Sequence, residues 1–231
     1  MNPNYSDITL ILDRSGSMKR IASATIEGFN QFVAEQRELP GVVTLSLVQF
    51  NNRRKVCYTA APINEVPRLD ADEYKPAGGT ALLDTIAETI DDTGRRLGAV
   101  AERDRPANVI VAILTDGKEN SSRRFSYPQV VERIERQQGT YKWNFLFLGA
   151  EQDAIAEAAK LSILSRSALT FRKSAKGAGD AFKSLSKAAG DVRTGQKGTA
   201  GFDEEDQQAH PRQLPLLPPE GGTNGQQGNC P

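Results

Sequence analysis

Cysteine and histidine are scarce in this sequence, and their scarcity excludes several kinds of site. The 231 residues include two cysteines, Cys57 and Cys230, and one histidine, His210. Two cysteines at these positions do not build a disulfide framework, so we expect a reducing compartment. A lone histidine near the C-terminus leaves the rest of the chain without the general base that a Ser-His-Asp triad needs. The residue types therefore exclude a disulfide-stapled fold and a serine hydrolase.

Net charge and long apolar runs are also missing. Lysine plus arginine number 29, and aspartate plus glutamate number 29. Without a net field, attraction to nucleic acid or to an anionic membrane surface is not indicated. The first apolar run, residues 8–12, is far shorter than a membrane span, and no basic region precedes it. We expect a soluble, cytoplasmic protein that binds neither nucleic acid nor membrane.

The rest of the pattern alternates short apolar runs with helical stripes. Strands are predicted at residues 8–12, 42–50, 55–60, 109–114 and 143–148, and helical stripes cover 21–32, 82–97, 126–134, 153–160 and 182–192. The segment 51–54 is typical of a hairpin turn, which makes the second and third strands antiparallel. The order indicates an α/β fold with a doubly wound, mostly parallel sheet, one antiparallel edge strand and helices on both faces.

The composition changes near residue 195 and divides the chain in two. We expect one folded domain over residues 1–194 and a disordered tail over residues 195–231, which is rich in Gly, Gln and Pro. The segment 214–219, Leu-Pro-Leu-Leu-Pro-Pro, is open to two interpretations. A spacer is favoured over a polyproline-type ligand.

Five oxygen-bearing residues follow predicted strands or precede a predicted helix. Asp13, Ser15 and Ser17 come directly after the first strand, and Asp116 follows the strand at 109–114. Thr80 is the expected N-cap of the helix predicted at residues 82–97. Taken singly, each is typical of a turn or a cap. Because ligands bind at the carboxyl ends of strands in open α/β sheets, their joint occurrence favours one shared site.

The chemistry of this set indicates a hard divalent cation. Carboxylates and hydroxyls without His or Cys suit Mg²⁺ or Mn²⁺ and disfavour zinc. Two carboxylates at most leave the ion partly uncompensated, so an acidic residue from another protein is able to complete its shell.

The same residues carry a family resemblance. Residues 12–18 read Leu-Asp-Arg-Ser-Gly-Ser-Met, residues 78–82 read Gly-Gly-Thr-Ala-Leu, and residues 114–117 read Leu-Thr-Asp-Gly. Together they resemble the metal-ion-dependent adhesion site, or MIDAS, of von Willebrand factor A (vWA) domains, over roughly residues 6–190.

The resemblance implies a sheet of six strands and a role for each ligand. Ser15 and Ser17 would bind the ion directly, Thr80 directly or through water, and Asp13 and Asp116 largely through waters. A partner's Glu or Asp would take the sixth position. Bacterial and phage members of the family are typically intracellular, and some work beside AAA-type ATPases or in stress-response systems.

Three functions remain open. The favoured one is a non-enzymatic, metal-dependent protein-binding module. The first alternative is a metal-dependent phosphoryl hydrolase with Asp13 as nucleophile, although Ser15 stands where such enzymes carry a second aspartate as general acid. The second is a scaffold that acts through residues 195–231.

Two polar segments have ordinary interpretations as well as functional ones. Residues 118–122 follow Asp116 and are expected to form a solvated loop rather than to contact the site. A basic group near the last helix is expected to face solvent rather than phosphate, namely Arg172, Lys173, Lys176, Lys183 and Lys187.

Overall fold

A computed structural model describes residues 1–150 and 154–209, and its centre is one six-stranded sheet. The strands lie in the order β3-β2-β1-β4-β5-β6. They are β1 (Asn2–Asp13), β2 (Val42–Phe50), β3 (Arg54–Pro62), β4 (Pro106–Thr115), β5 (Asn144–Ala150) and β6 (Ala168–Phe171).

Five strands are parallel, and β3 pairs antiparallel with β2 at one edge. This confirms the predicted doubly wound sheet and its hairpin. The strand order reverses between β1 and β4. These two strands pair in parallel, with Asp7 opposite Val109 and Leu12 opposite Leu114. Such a reversal opens a crevice at the carboxyl ends of the two strands, where α/β proteins bind ligands.

Helices cover both faces of the sheet. They are α1 (Ala22–Glu38), α2 (Leu82–Gly98), α3 (Tyr127–Tyr141), α4 (Ala154–Ala159), α5 (Ala175–Arg193) and α6 (Glu204–Ala209). Helices α1 and α5 share one apolar core with the sheet, and α2, α3 and α4 share the other. Among residues 1–150 and 154–209, no helix combines the length and the apolar character that crossing a membrane requires.

The central strand β1 shows why the sheet is a rigid base for its loops. Ile8, Leu10 and Leu12 enter the core under α1 and α5, while Ile11 enters the opposite core. Each of these side chains is at most 3% exposed, and full burial of such a side chain stabilises by roughly 1.5–3 kcal/mol. The loop after Asp13 therefore starts from a strand that is anchored on both faces.

Two local expectations have different outcomes. The predicted capping box at the start of α3 is confirmed, because the Gln129 side chain accepts the backbone N–H of Ser126 at 2.9 Å. The predicted N-cap role of Thr80 is wrong, since α2 begins after Ala81 and no side chain of its own caps it. Residues from the loop after β4 take that role, as described below.

Packing continues past residue 194, where the sequence pattern placed the end of the domain. Ala200 and Phe202 are buried in the core under α5. The backbone N–H of Phe202 donates to the carbonyl of Arg166 at 2.7 Å, and the short helix α6 follows. Composition alone misses this segment because only two of its residues, Ala200 and Phe202, are apolar residues that enter the core. Asp153, His210 and residues 214–219 lie outside the described residues.

Candidate metal centre

The first-strand loop and the fourth-strand loop meet at the crevice. Asp13 is the last residue of β1, and Thr115 is the last residue of β4. The hydroxyl of Thr115 donates to Asp13 Oδ2 at 2.6 Å, which ties the two strand ends together. The backbone N–H of Arg14 donates to the carbonyl of Phe50, at the end of β2, at 2.7 Å. Three neighbouring strand ends therefore fix the position of the Asp13 carboxylate.

Four of the five predicted ligands form one hydrogen-bonded chain. Asp13 Oδ1 accepts the backbone N–H of Ser15 at 2.6 Å. The hydroxyls of Ser15 and Ser17 are 2.9 Å apart, and Ser17 Oγ donates to Asp116 Oδ1 at 2.5 Å. Asp13 and Asp116, 103 positions apart in the sequence, are thus joined through two serines. The structure brings these four residues to one place.

The Asp13 carboxylate is held in a buried position. It is 0% exposed, and burial raises the pKa of its carboxyl to about 6, against the lowering effect of hydrogen bonds from Thr115 and Ser15. The negative charge of Asp116 raises this pKa further. Two buried carboxylates side by side are stabilised by a nearby cation.

Thr80 reaches the same site from a different segment. Its side chain is buried, with 2% of the residue exposed. Thr80 lies against Gly117, because a Cβ built on Gly117 would be 2.7 Å from Thr80 Oγ1 and 3.6 Å from Asp13 Oδ2. The fifth predicted ligand therefore stands beside the Asp13 carboxylate, with the side-chain-free backbone of Gly117 against it.

The loop after β4 fixes Thr80 through its backbone. Asn120 Oδ1 accepts the N–H of Thr80 at 2.9 Å, and the carbonyl of Thr80 accepts the N–H groups of Asn120 and Ser121 at 3.1 and 3.2 Å. Residues 118–122 are therefore not only a solvated loop. Their side chains and backbone hold a predicted ligand in place.

The same loop caps α2. Glu119 Oε2 accepts the N–H of Leu83 at 2.9 Å, and Ser122 Oγ accepts the N–H of Asp84 at 3.0 Å. These are N–H groups that the first turn of a helix leaves without internal partners. Because Glu119 also places a negative charge at the positive end of α2, it stabilises that end electrostatically.

The segment before Thr80 is pinned to the first-strand loop. Gly16 donates its N–H to the carbonyl of Gly78 at 2.9 Å, and Ala77 donates to the carbonyl of Arg14 at 2.8 Å. Gly78 has φ +80°, a backbone conformation that disfavours residues with a side chain. The lack of side chains on the glycine pair leaves room for other neighbours, since a Cβ on Gly78 would lie 2.1 Å from Asn52 Oδ1 and one on Gly79 would lie 2.3 Å from Ser121 Oγ.

Two residues outside the predicted ligand set contact the site. The Tyr74 hydroxyl donates to the backbone carbonyl of Asp13 at 2.5 Å, and burial, followed by the charges of Asp13 and Asp116, raises the pKa of Tyr74 well above its ordinary value. Lys173 Nζ lies 2.6 Å from Asp116 Oδ2. The signal available in the sequence for Tyr74 is that it is the lone aromatic residue of the segment 63–81. Lys173 was expected in a solvated basic face, and this expectation is wrong for that residue.

The donor set fits a hard divalent ion. The described residues contain no group of three or more His, Cys, Asp or Glu side chains with metal-binding geometry, so a metal at this site depends on the hydroxyls of Ser15, Ser17 and Thr80 as well as on the carboxylates. The buried Asp13 carboxylate, whose ionised form a cation would stabilise, and the clearance that Gly117 leaves beside Thr80 both suit a cation at this point. Metal binding by the five residues stays a prediction.

Comparison with known proteins identifies the fold. No family model and no curated protein matches the chain. Among solved structures, proximal thread matrix protein 1 from the mussel byssus is 17% identical with a TM-score of 0.56, covering 80% of this chain and 46% of that chain. The same protein has been solved with a zinc-occupied MIDAS motif, at 15% identity and a TM-score of 0.55.

Two further structures extend the comparison. The ArnB paralog VWA2 from Sulfolobus acidocaldarius is 17% identical, with a TM-score of 0.52 over 81% of this chain and 45% of that chain. The vWF domain of the type V pili tip protein Mfa5 from Porphyromonas gingivalis is 10% identical, with a TM-score of 0.54 over 80% of this chain and 94% of that chain. The chain thus spans less than half the length of the first two proteins. The likeness shows that it has the Rossmann-like fold of vWA domains.

Proposed function

We propose that this chain is a divalent-metal-dependent protein-binding module. The observation that carries the proposal is the convergence of Asp13, Ser15, Ser17, Thr80 and Asp116 at the β1–β4 crevice. These residues would hold Mg²⁺ or Mn²⁺, and a Glu or Asp of a partner protein would complete the shell. The solved vWA structures support the fold on which this assignment rests.

The geometry favours binding over phosphoryl chemistry. Position 15 carries a serine, so it supplies no carboxylic acid that would act as general acid. Its hydroxyl is hydrogen-bonded to Ser17 and its backbone N–H to Asp13. Asp13 is itself buried and accepts hydrogen bonds on both oxygens, which reduces its reach as a nucleophile. We therefore keep the hydrolase as the alternative to be tested.

Metal titration tests the proposal directly. Thermal unfolding of the full chain is followed with Mg²⁺, Mn²⁺ and Zn²⁺. Zinc is included because proximal thread matrix protein 1, which is similar in fold, has been solved with a zinc-occupied MIDAS motif. At ten times its dissociation constant an ion stabilises by about 1.4 kcal/mol, or about 3 °C for a domain of this size. The shift should be absent in an Asp13→Ala, Ser15→Ala double variant and present in the control, Ser23→Ala with Asp72→Ala. Absence of a shift with every ion, both in the wild-type chain and in a Lys173→Met variant that lacks the ammonium beside Asp116, refutes the metal site.

Partner capture separates the three functions. A carboxylate-bearing partner should bind with Mn²⁺ and dissociate with a chelator. Because Ala200 and Phe202 belong to the core, the deletion that tests the scaffold hypothesis must start after residue 209. Capture that survives deletion of residues 210–231 supports the metal site, and capture that is lost supports the tail. Metal-dependent turnover of a phosphatase substrate that vanishes in Asp13→Ala supports the hydrolase.

A further inference from the structure

Lys173 places a positive charge inside the candidate metal centre. Its Nζ lies 2.6 Å from Asp116 Oδ2, and the side chains of the two residues are 17% and 0% exposed. The other carboxylate oxygen of Asp116 accepts the hydroxyl of Ser17. The carboxylate of Asp116 therefore contacts both the hydroxyl of Ser17 and the ammonium group of Lys173.

The backbone around Lys173 is fixed, so this contact does not depend on a loose loop. Phe171, the last residue of β6, is 1% exposed. Ser174 donates its N–H to the carbonyl of Arg172 at 2.8 Å, and its hydroxyl caps α5 by accepting the N–H of Gly177 at 3.1 Å. A Cβ on Gly177 would lie 2.2 Å from the carbonyl oxygen of Arg172. The strand end and the helix start thus hold Lys173 between them.

The charge of this ammonium opposes a divalent ion. Asp13 and Asp116 supply two negative charges to the site, and Lys173 offsets one of them. An ion that binds near Asp116 meets repulsion from Nζ, or the lysine must leave Oδ2 and move into solvent. Both effects are strong where carboxylates are buried, because the interior screens charge less than water does.

We propose that Lys173 is a tethered cation that competes with the divalent ion for Asp116 and so determines the affinity of the site. This inference rests on the proposed function, because it requires that the site binds metal. It implies that the metal-free site is kept stable by its own lysine, and that binding of metal and release of Lys173 from Asp116 are coupled.

Two neutral variants test the competition. Lys173→Met keeps the length of the side chain and removes its charge, and Lys173→Gln retains a polar group for Asp116 if the methionine variant does not fold. Mn²⁺ binding to the full chain is measured by calorimetry and by the electron paramagnetic resonance signal of free Mn²⁺. We expect both variants to bind Mn²⁺ at least tenfold more tightly than the wild-type chain.

Two further variants serve as controls. Lys176→Met removes a lysine three positions away whose ammonium pairs with Asp180 and whose side chain is 87% exposed, and it should leave the affinity unchanged. Lys173→Arg keeps the positive charge and should not bind more tightly than the wild type. Both readouts report metal affinity itself, so neither depends on a partner protein.

The outcomes distinguish this inference from the function on which it rests. Tighter binding in the two neutral variants but not in the controls supports the competition, including the case in which the wild-type chain shows no measurable binding. Equal affinities in wild type and neutral variants overturn the role of Lys173 and leave the metal site intact. Absence of binding in every variant overturns the metal site and this inference together.

Discussion

Gly117 lies against the hydroxyl of Thr80, on the side of the site that also faces Asp13. A Cβ at position 117 would stand 2.7 Å from Thr80 Oγ1, which is shorter than side-chain carbons approach oxygen. The loop after β4 is able to close over the end of β1 because this residue has no side chain. The glycine thus leaves room for the Thr80 hydroxyl near the Asp13 carboxylate.

Replacing Gly117 should therefore reduce metal affinity. In Gly117→Ala the new methyl group forces the Thr80 hydroxyl aside, and we expect Mn²⁺ to bind about tenfold more weakly, which corresponds to about 1.4 kcal/mol. Calorimetric titration of the full chain measures this. Gly139→Ala is the matched control, since its Cβ meets nothing within 4 Å inside α3. It should gain up to about 1 kcal/mol of stability from helix propensity and leave affinity unchanged. Equal affinities in both variants would contradict the close contact.

Glu119 should stabilise the fold although it lies in a loop. Its carboxylate accepts the N–H groups of Leu83, Ser121 and Ser122 and the Ser122 hydroxyl, at 2.7–2.9 Å. Glu119→Ala leaves several of these donors unpaired, and hydrogen bonds to charged groups contribute roughly 1.5–3 kcal/mol. We expect a loss of about 3 kcal/mol in urea unfolding.

Glu132→Ala is the control for this prediction. Glu132 is exposed on α3, and its replacement should change stability by less than about 0.5 kcal/mol. A Glu119→Ala protein as stable as this control would show that the start of α2 does not depend on the loop after β4.

Asp84 should make the stability of the fold depend on pH in the acid range. Its carboxylate accepts the backbone N–H groups of Arg123, Arg124 and Phe125 at 2.9–3.0 Å. Burial raises the pKa of this carboxyl, but the three hydrogen bonds and the charge of Arg124 outweigh burial, so the pKa lies below the ordinary value of 3.8.

A carboxyl whose pKa is lowered by folding stabilises the protein above the unfolded pKa and loses this effect as the pH falls. Asp84→Asn should cost about 2 kcal/mol at pH 7, with the same difference down to about pH 5. Below pH 3.8 the difference should shrink. Urea unfolding of both proteins from pH 7 to pH 3 measures it, and a difference that widens toward low pH would contradict the assignment. Asp72→Asn, at an exposed position, is the control and should change the stability at pH 7 by less than about 0.5 kcal/mol.

The sequence pattern predicts where Asp13 and Asp116 lie better than it predicts the residues around them, for a physical reason. Asp13 and Asp116 follow β1 and β4, which are continuous apolar runs, and parallel strands bring their carboxyl ends to one edge. Strand polarity thus suffices to bring the two carboxylates together. The pattern does not predict the start of β1, because Asp7 is polar. Its buried carboxylate accepts hydrogen bonds from Arg96 and Thr44 at 2.8 and 2.7 Å.

Features that depend on tertiary contact were not predictable in this way. Thr80 resembles an N-cap locally, but the donors at the start of α2 are taken by Glu119 and Ser122, which are distant in sequence. The four-residue strand β6 has too few residues for a periodic pattern, and the expected number of six strands came from the family resemblance. Lys173 reaches Asp116 through a flexible side chain, which no spacing rule describes.

Phe202 packs into the core although it lies beyond residue 194, the predicted end of the domain. Its side chain is 5% exposed, and the neighbouring Ala200 donates its N–H to Asn144 Oδ1 at 2.8 Å. Removing a buried phenyl group typically costs 3–5 kcal/mol, so Phe202→Ala should lose about 3 kcal/mol in urea unfolding. Leu164→Ala, at a side chain that is 52% exposed, should change stability by less than about 0.5 kcal/mol. If Phe202→Ala proved as stable as the wild-type chain, the segment after residue 194 would not contribute to the core, and a domain ending at residue 194 would be the correct boundary.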